Sequence, residues 1–383
     1  MSKRRSKGDG AIYYDENRKL YIGQVTLGFD EYGKRKRKTV YGHSKTEVKE
    51  KIKAVEYQIF EGSFVDVSTI TVYQLAKQIL DDKLNQGEIK ETTYFRNKET
   101  LKQLKDIYNT PLQAVNEAQV KDFLLSKTNY SQSSINKVYI MLDSTLKEAV
   151  KKHIIAENPM EHIKKPKSKQ KQIKVRALTK DEQRKLMSVL VNEDINYSQQ
   201  MLLSMLTGMR MGEINALSMS DVNLNFGVIT VKRTIARGEK GEAIINDTTK
   251  TTAGMRKLPM TNAVKELMID CIGDKTGGYI FTHNNKLITT SQVNAQYMRI
   301  LKKYDIIDTS VDGKVDLHSL RHTYGTRCIE GGMSFKALQE LMGHTDIKVT
   351  MNTYCDATND FISDNISRVN QYMEQSGLNL SFA

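Results

Sequence analysis

At 383 residues the chain is longer than one ordinary domain and predicts two or three. Its 58 lysines and arginines against 45 acidic residues give a formal net charge of +13, which favours a polyanionic partner, nucleic acid being the commonest. Three cysteines (Cys271, Cys328 and Cys355) without metal-ligand spacing exclude a disulfide framework and a zinc site, and no run of about 18 apolar residues is present to cross a membrane.

The opening Met-Ser-Lys-Arg-Arg has no apolar region behind it, so no signal peptide is expected and a reducing, cytoplasmic compartment fits. Residues 1–65 read as a small α+β unit. Lys3, Arg4 and Arg5 form a basic arm; the stretches from Ala11, Leu20 and Lys38 read as three short strands. Ser44 then caps a helix to Glu61, with Glu47 completing a capping box. The run Lys34, Arg35, Lys36, Arg37, Lys38 at a strand end could set the sheet into a DNA groove; a solvated charge run is the plainer alternative.

Residues 66–163 read as a bundle of four helices, Thr71–Leu84, Glu91–Tyr108, Glu117–Thr128 and Ser131–His153, each apolar at helical spacing. Residues 164–176 carry Lys164, Lys165, Lys167 and Lys169 among further cations and no acid. This stretch reads as a basic interdomain linker, either lying along phosphates or serving as a soluble tether. Residues 177–383 form the largest unit. A capping box at Thr179 and Glu182 opens its first helix. Strands at Val228–Val231, Ala243–Ile245 and Arg256–Pro259 predict a small antiparallel sheet, and helices follow to Glu374. The expected fold is therefore multidomain and mainly α, with a three-stranded α+β domain, a helical bundle and a mixed, mainly helical third domain.

Chemistry concentrates in this last unit. Arg210 follows a glycine break at a helix start, where a guanidinium can present a fork to phosphate oxygens, and Glu213 lies one turn on. Lys250 sits near a hairpin tip and could protonate a leaving oxygen. His318 and Arg321 share a helix face, His344 follows Gly343 at a helix end, and Tyr354 lies ten residues beyond. Each feature alone is ordinary: an Arg–Glu pair at this spacing is commonly a surface ion pair.

Taken in order, Thr207-Gly-Met-Arg210-Met-Gly-Glu213, Lys250-Thr-x-x-x-x-Arg256-x-x-Pro259, His318-Ser-Leu-Arg321-His322-Thr, Leu341-Met-Gly-His344 and Thr353-Tyr354 form a set that resembles the tyrosine recombinases, specifically phage and conjugative-transposon integrases with an N-terminal arm-binding domain. The resemblance implies a bacterial, nucleoid-associated enzyme that cuts and rejoins DNA through a 3′-phosphotyrosine and integrates and excises a mobile element. Tyr354 would be the nucleophile. Arg210, Arg321, His318 and His344 would meet the non-bridging oxygens, and His318 would also take the tyrosine proton. Lys250 would be the general acid and Glu213 a supporting residue. With two arginines in the place of Mg²⁺, neither metal nor ATP nor any other cofactor is expected.

The implied partners are double-stranded DNA at core and arm-type sites, three further copies of the chain in a tetramer, and a DNA-bending or excision factor; no membrane is involved. The chain departs from many relatives in placing Cys355 and Asp356 directly after Tyr354, where a histidine often follows, and Tyr324 and Tyr372 are weaker nucleophile candidates. A type IB topoisomerase would share the chemistry but not need the arm domain. A non-catalytic DNA-binding regulator would not need six catalytic-type residues. The apolar tail from Leu378 to Phe382 either packs on a neighbouring protomer or folds back on its own.

Overall fold

A computed structural model of the chain describes residues 12–29, 34–60, 68–247, 255–354 and 361–376. It divides into two compact units, Met1–Lys171 and Gln172–Ala383.

The first unit opens with an antiparallel sheet, β1 (Tyr13–Asp15), β2 (Leu20–Phe29) and β3 (Arg35–Gly42), in that spatial order, followed by helix α1 (Lys45–Phe60). Strand alternation decides which residues face the helix. A side chain at Gly23 would run into Val48 and Ile52 of α1, so position 23, its cross-strand partner Val40, and the neighbours Val25 and Lys38 share the helix side. Val25, Val40, Val48, Ile52 and Val55 close this small core. The opposite face carries Ile22, Gln24, Thr26, Arg37, Thr39 and Tyr41. Glu47 reaches back to the backbone N–H of His43 (2.8 Å) while Ser44 accepts from Glu47 (3.1 Å), as the capping pattern predicts within one residue.

The bundle comprises α2 (Val72–Asn85), α3 (Glu91–Lys102), α4 (Glu117–Ser126) and α5 (Gln132–Lys151). Their apolar stripes meet in a core that includes Val72, Leu75, Leu104, Val120, Leu142 and Leu146. The sequence pattern extends α3 to Tyr108, but it ends at Lys102. Beyond it the chain continues in tighter turns, Leu104 N–H to the Leu101 carbonyl (3.0 Å) and Ile107 N–H to that of Leu104 (2.9 Å), and the carbonyls of Tyr108 and Thr110 accept the first N–H groups of α2, from Tyr73 and Val72 (both 3.1 Å). The basic stretch after α5 lies along the bundle: Gln132 bonds the carbonyl of Pro166 (3.1 Å) and the N–H of Ser168 (2.8 Å), and the N–H of Lys169 bonds Thr128 (2.8 Å). Lys164, Lys165, Lys167 and Lys169 remain exposed.

The second unit begins with α6 (Lys180–Asn192), α7 (Ser198–Thr207) and α8 (Met211–Asn215). Five strands follow: β4 (Val222–Asn223), β5 (Val228–Val231), β6 (Arg233–Arg237), β7 (Ala243–Asp247) and β8 (Arg256–Pro259). The remainder is α9 (Asn262–Ile272), the short pair β9 (Thr282–His283) and β10 (Lys286–Leu287), α10 (Thr290–Lys303), α11 (His318–Glu330), α12 (Phe335–Met342), α13 (Ile347–Tyr354) and α14 (Phe361–Gln375). The expected single sheet is in fact two, β4-β5-β8 and the hairpin β6-β7. Strand β6 has only Ile235 fully buried, so its sequence shows too little apolar alternation to declare itself.

The core of this unit runs through Leu186, Leu203, Met209, Ile214, Ile229, Val293, Tyr297 and Leu320. Its entry is locked by Arg176, which pairs both guanidinium nitrogens with Glu182 (2.6 and 2.7 Å) while Glu182 completes the capping box at Thr179. Arg176 is therefore a structural residue rather than one more available cation of the basic stretch.

Candidate active site

The site forms where α8, α11, β8 and the C-terminal end of α12 meet. Gly208 makes the first approach possible. It ends α7 in the left-handed conformation (φ 66°), and a Cβ there would collide with the ring of Tyr324. The turn brings Arg210 to the position just before α8, with backbone φ −69° and ψ 142°, where its N–H and one guanidinium nitrogen both bond Glu213 (2.9 and 3.0 Å).

Glu213 is buried, 4% exposed, and fully engaged. Arg256, reaching in from β8, adds two further donors at 2.7 and 3.1 Å. Burial alone would raise this carboxyl's pKa. The Arg256 hydrogen bonds and the charges of Arg256 and Arg210 override it and hold the value down to about 2, so Glu213 is an anion throughout the physiological range.

Three arginines converge on the end of α12. Arg256 Nε donates to the carbonyl of Leu341 (2.7 Å), Arg321 to that of Met342 (2.6 Å) and Arg210 to that of Gly343 (3.3 Å). Consecutive carbonyls at a helix C-terminus lack helical partners and carry partial negative charge, so cations suit them. Gly343 adopts a left-handed turn there (φ 63°) and delivers His344 to the same place.

Arg321 is 2% exposed and also donates to the carbonyl of Gly208 (2.6 Å). Its Nη2 lies 2.9 Å from His344 Nε2, and His344 Nδ1 lies 2.8 Å from Thr350 Oγ1 on α13. A guanidinium has no acceptor, so Nε2 must accept, Nδ1 carries the hydrogen, and Thr350 accepts it. Burial, then the charges of Arg321, Arg210, His318 and Arg256, lowers the His344 pKa to about 4 and keeps the ring neutral.

His318 opens α11, its ring edge-on to that of His322 with centroids 4.9 Å apart. Burial and then His322 and Arg321 push its pKa down to about 4, against the pull of Asp316. One side of the residue stays open to solvent.

The structure thus brings together five of the residues expected from sequence: Arg210, Glu213, His318, Arg321 and His344. Tyr354 is the last residue of α13, one turn beyond Thr350, and its side chain lies outside the described residues, as does Lys250. Among the expected DNA contacts, Lys3, Arg4, Arg5 and the Lys36 side chain also lie outside them. Arg256 stands inside the Lys250–Pro259 motif, which gives it no role of its own, and Thr350 lies outside the motifs that mark the other residues. The four-residue step from Thr350 to Tyr354 was the available signal for the latter.

Residues 176–360 match the family model described as "Phage integrase family", and residues 71–170 match that of the "Phage integrase SAM-like domain". The chain belongs to this family: it is a tyrosine recombinase, an enzyme of site-specific recombination. Its particular relatives are transposon and phage proteins. It is 25% identical over 350 residues to the transposase from transposon Tn916 of Enterococcus faecalis, covering 86% of this chain and 85% of that one. It is 26% identical to the integrase of Staphylococcus phage L54a over 76% of this chain and 90% of that protein. In fold it is similar to the Tn1549 transposon integrase solved with a circular intermediate DNA (TM-score 0.66, 23% identity, 78% of this chain and 99% of that one). It is also similar in fold to a lambda integrase tetramer on a Holliday junction (TM-score 0.57, 18% identity, 92% and 97%).

Proposed function

We propose that the chain integrates and excises a mobile DNA element by cutting and rejoining DNA through a 3′-phosphotyrosine at Tyr354. The observation that carries this reading is the meeting of Arg210, Arg321 and His344 at the end of α12, backed by the Glu213 carboxylate. Such a cluster of fixed donors suits an oxyanion whose charge grows in a pentacoordinate transition state.

In this reading Arg210 and Arg321 clamp the non-bridging oxygens, and His344 and His318 add hydrogen bonds. His318 is a neutral ring near pH 7, with a nitrogen lone pair that can take the phenolic proton of Tyr354. Lys250 donates a proton to the departing 5′-oxygen. The free energy of the phosphodiester stays in the phosphotyrosine, so religation needs no ATP. Glu213 and Arg256 hold the clamp without touching substrate.

The domains divide the DNA between them: residues 1–65 take arm-type sites, 66–163 and 177–383 take core sites, and 164–176 link them. The relatives solved on DNA and as a DNA-bound tetramer support double-stranded DNA as substrate and a tetramer as the working assembly, and a DNA-bending or excision factor is a further partner of this reading. The enzyme then works in the bacterial cytoplasm, at the nucleoid. On the arm domain, strand alternation puts Arg35 and Arg37 on the sheet face away from α1 and Lys38 on the helix side, so the basic run divides between reading and packing.

The deciding experiment uses a nicked suicide duplex carrying the element's end. The wild-type chain should become covalently attached, and Tyr354→Phe should bind the same DNA without attaching. Attachment by the phenylalanine variant would dismiss Tyr354 as nucleophile.

A further inference from the structure

We propose that Thr350 is a positioning residue for strand cleavage: its hydroxyl holds the His344 ring toward the scissile phosphate and ties that ring to the helix ending in Tyr354. The inference rests on the reading of Tyr354, Arg321 and His344 given above.

Thr350 is wholly buried, at 0% exposure, in the middle of α13. Its oxygen lies 2.8 Å from His344 Nδ1, on the side of the ring away from Arg321, whose Nη2 is 2.9 Å from Nε2. The ring is held at both nitrogens, one by α11 and the other by the helix that ends in Tyr354. Thr350 and Tyr354 stand one turn apart on α13, so a shift of that helix moves the nucleophile position and the His344 partner together.

The direction of these hydrogen bonds has a chemical consequence. With Arg321 donating to it, Nε2 presents a lone pair, which would repel a phosphate oxygen. A proton taken from solvent turns Nε2 into a donor. Thr350 accepts from Nδ1–H before and after that step, so the ring need not turn over. The groups facing His344 from other elements are Arg321 and His318 on α11, Arg210 before α8 and Arg256 on β8. Without DNA these cations disfavour the imidazolium; a phosphodiester beside the ring supplies the opposite charge and favours it. Thr350 selects the tautomer for which phosphate binding and protonation go together.

The test uses the full-length chain and the nicked suicide duplex in single turnover, comparing Thr350→Val with Thr350→Ser. Valine keeps the shape and removes the acceptor; serine keeps the acceptor and removes a methyl. Covalent attachment by Thr350→Val should slow roughly ten- to a hundredfold, the worth of a buried hydrogen bond to a charged group, at unchanged DNA affinity. Thr350→Ser should stay within about threefold. The alkaline limb of the rate profile should move to lower pH in the valine variant alone, because the imidazolium loses its acceptor.

A valine variant as fast as wild type, or a serine variant slower than the valine, would overturn the proposal, since only packing would then matter. Nitrogen NMR of the unsubstituted, DNA-free protein gives a second measure. His344 protonated at Nδ1 supports the assignment, and protonation at Nε2 overturns it. A wild-type chain that never attaches to DNA would bring down the functional reading itself. An attaching wild type with an indifferent valine variant removes Thr350 alone.

Discussion

Arg256 and Glu213 form a two-point ion pair, 2.7 and 3.1 Å, with side chains only 7% and 4% exposed. Through it a strand residue fixes Arg210, which in the proposed function clamps the phosphate. Glu213 spends two acceptor positions on Arg256 and two on Arg210. Removing the carboxylate charge in Glu213→Gln leaves Arg256 buried without its counterion, a change that costs about 3–5 kcal/mol when such a pair is broken from one side. Urea unfolding of the variant should show that loss. Replacing both residues with apolar ones (Glu213→Leu with Arg256→Met) should recover much of the stability but not the rate of covalent attachment, because Arg210 loses its anchor. Recovery of both would reduce the pair to a structural element.

The same cluster sets how stability responds to acid. His318 and His344 titrate near 4 in the folded chain against an ordinary 6.5. Between those values the unfolded chain binds more protons, so their contribution is complete above pH 6.5 and is lost as pH falls through 4. Glu213, at about 2 against 4.5, adds a contribution that is complete above 4.5 and lost toward 2. The midpoint of urea unfolding should therefore begin to fall below pH 6.5, well before ordinary carboxylates titrate. His344→Gln should flatten this upper part of the curve. His318 contributes the smaller share, because its open side is screened by solvent. A curve flat down to pH 4.5 would contradict a neutral His344 ring held among cations.

Lys250 belongs to the stretch between β7 and β8, and its proposed task is separable from binding. Lys250→Ala should cut attachment strongly, on the order of 10²–10⁴-fold for a lost general acid. A substrate with sulfur in place of the bridging 5′-oxygen should restore most of that loss, since a thiolate leaves without a proton. An equally slow reaction on the sulfur substrate would assign the lysine to phosphate binding instead.

Much of this site was legible because its chemistry is written in residue types that sit at turns. Arg210 after Gly208, His344 after Gly343, and the one-turn step from His318 to Arg321 are local patterns, and the fold keeps them. The unreadable part is long-range. Arg256 meets Leu341 across 85 positions and Glu213 across 43, and nothing in either neighbourhood announces the partner. The acceptors at Leu341, Met342 and Gly343 are backbone carbonyls, which every sequence has. Strand β6 escaped because one buried isoleucine gives no alternation, and the early end of α3 because the i→i−3 turns that follow it keep the same apolar spacing.

On the N-terminal sheet, proposed to take arm-type sites, alternation separates two neighbouring cations. Arg37 stands on the free face beside Gln24 (3.5 Å), with Thr26 and Thr39, whereas Lys38 is half-buried on the helix side. Arg37→Ala should weaken binding to the arm-type sequence by about 1–3 kcal/mol and relax preference at one base position. Lys38→Ala, on the side that packs toward the helix, should leave affinity and base preference nearly unchanged. Gel-shift titrations against the arm site and single-base variants distinguish the two; identical behaviour of both variants would remove the sheet face from sequence reading.

The last prediction concerns α14. Ile366, Val369 and Tyr372 recur every third residue along it and are 57%, 59% and 65% exposed. Three large apolar side chains in one stripe are an uneasy surface for a helix left in water, and burying each would contribute about 1.5–3 kcal/mol. A neighbouring subunit could supply that cover, which favours packing in trans for the segment after Tyr354. Ile366→Asp with Val369→Asp should leave thermal stability of the isolated chain nearly unchanged, because those side chains already face solvent. The same pair should abolish the proposed four-subunit complex on paired DNA ends, read by light scattering or native gels, while single-site binding persists. If α14 instead folds back on its own subunit in solution, the substitutions would lower the melting temperature and spare assembly, so the two measurements move in opposite directions for the two arrangements.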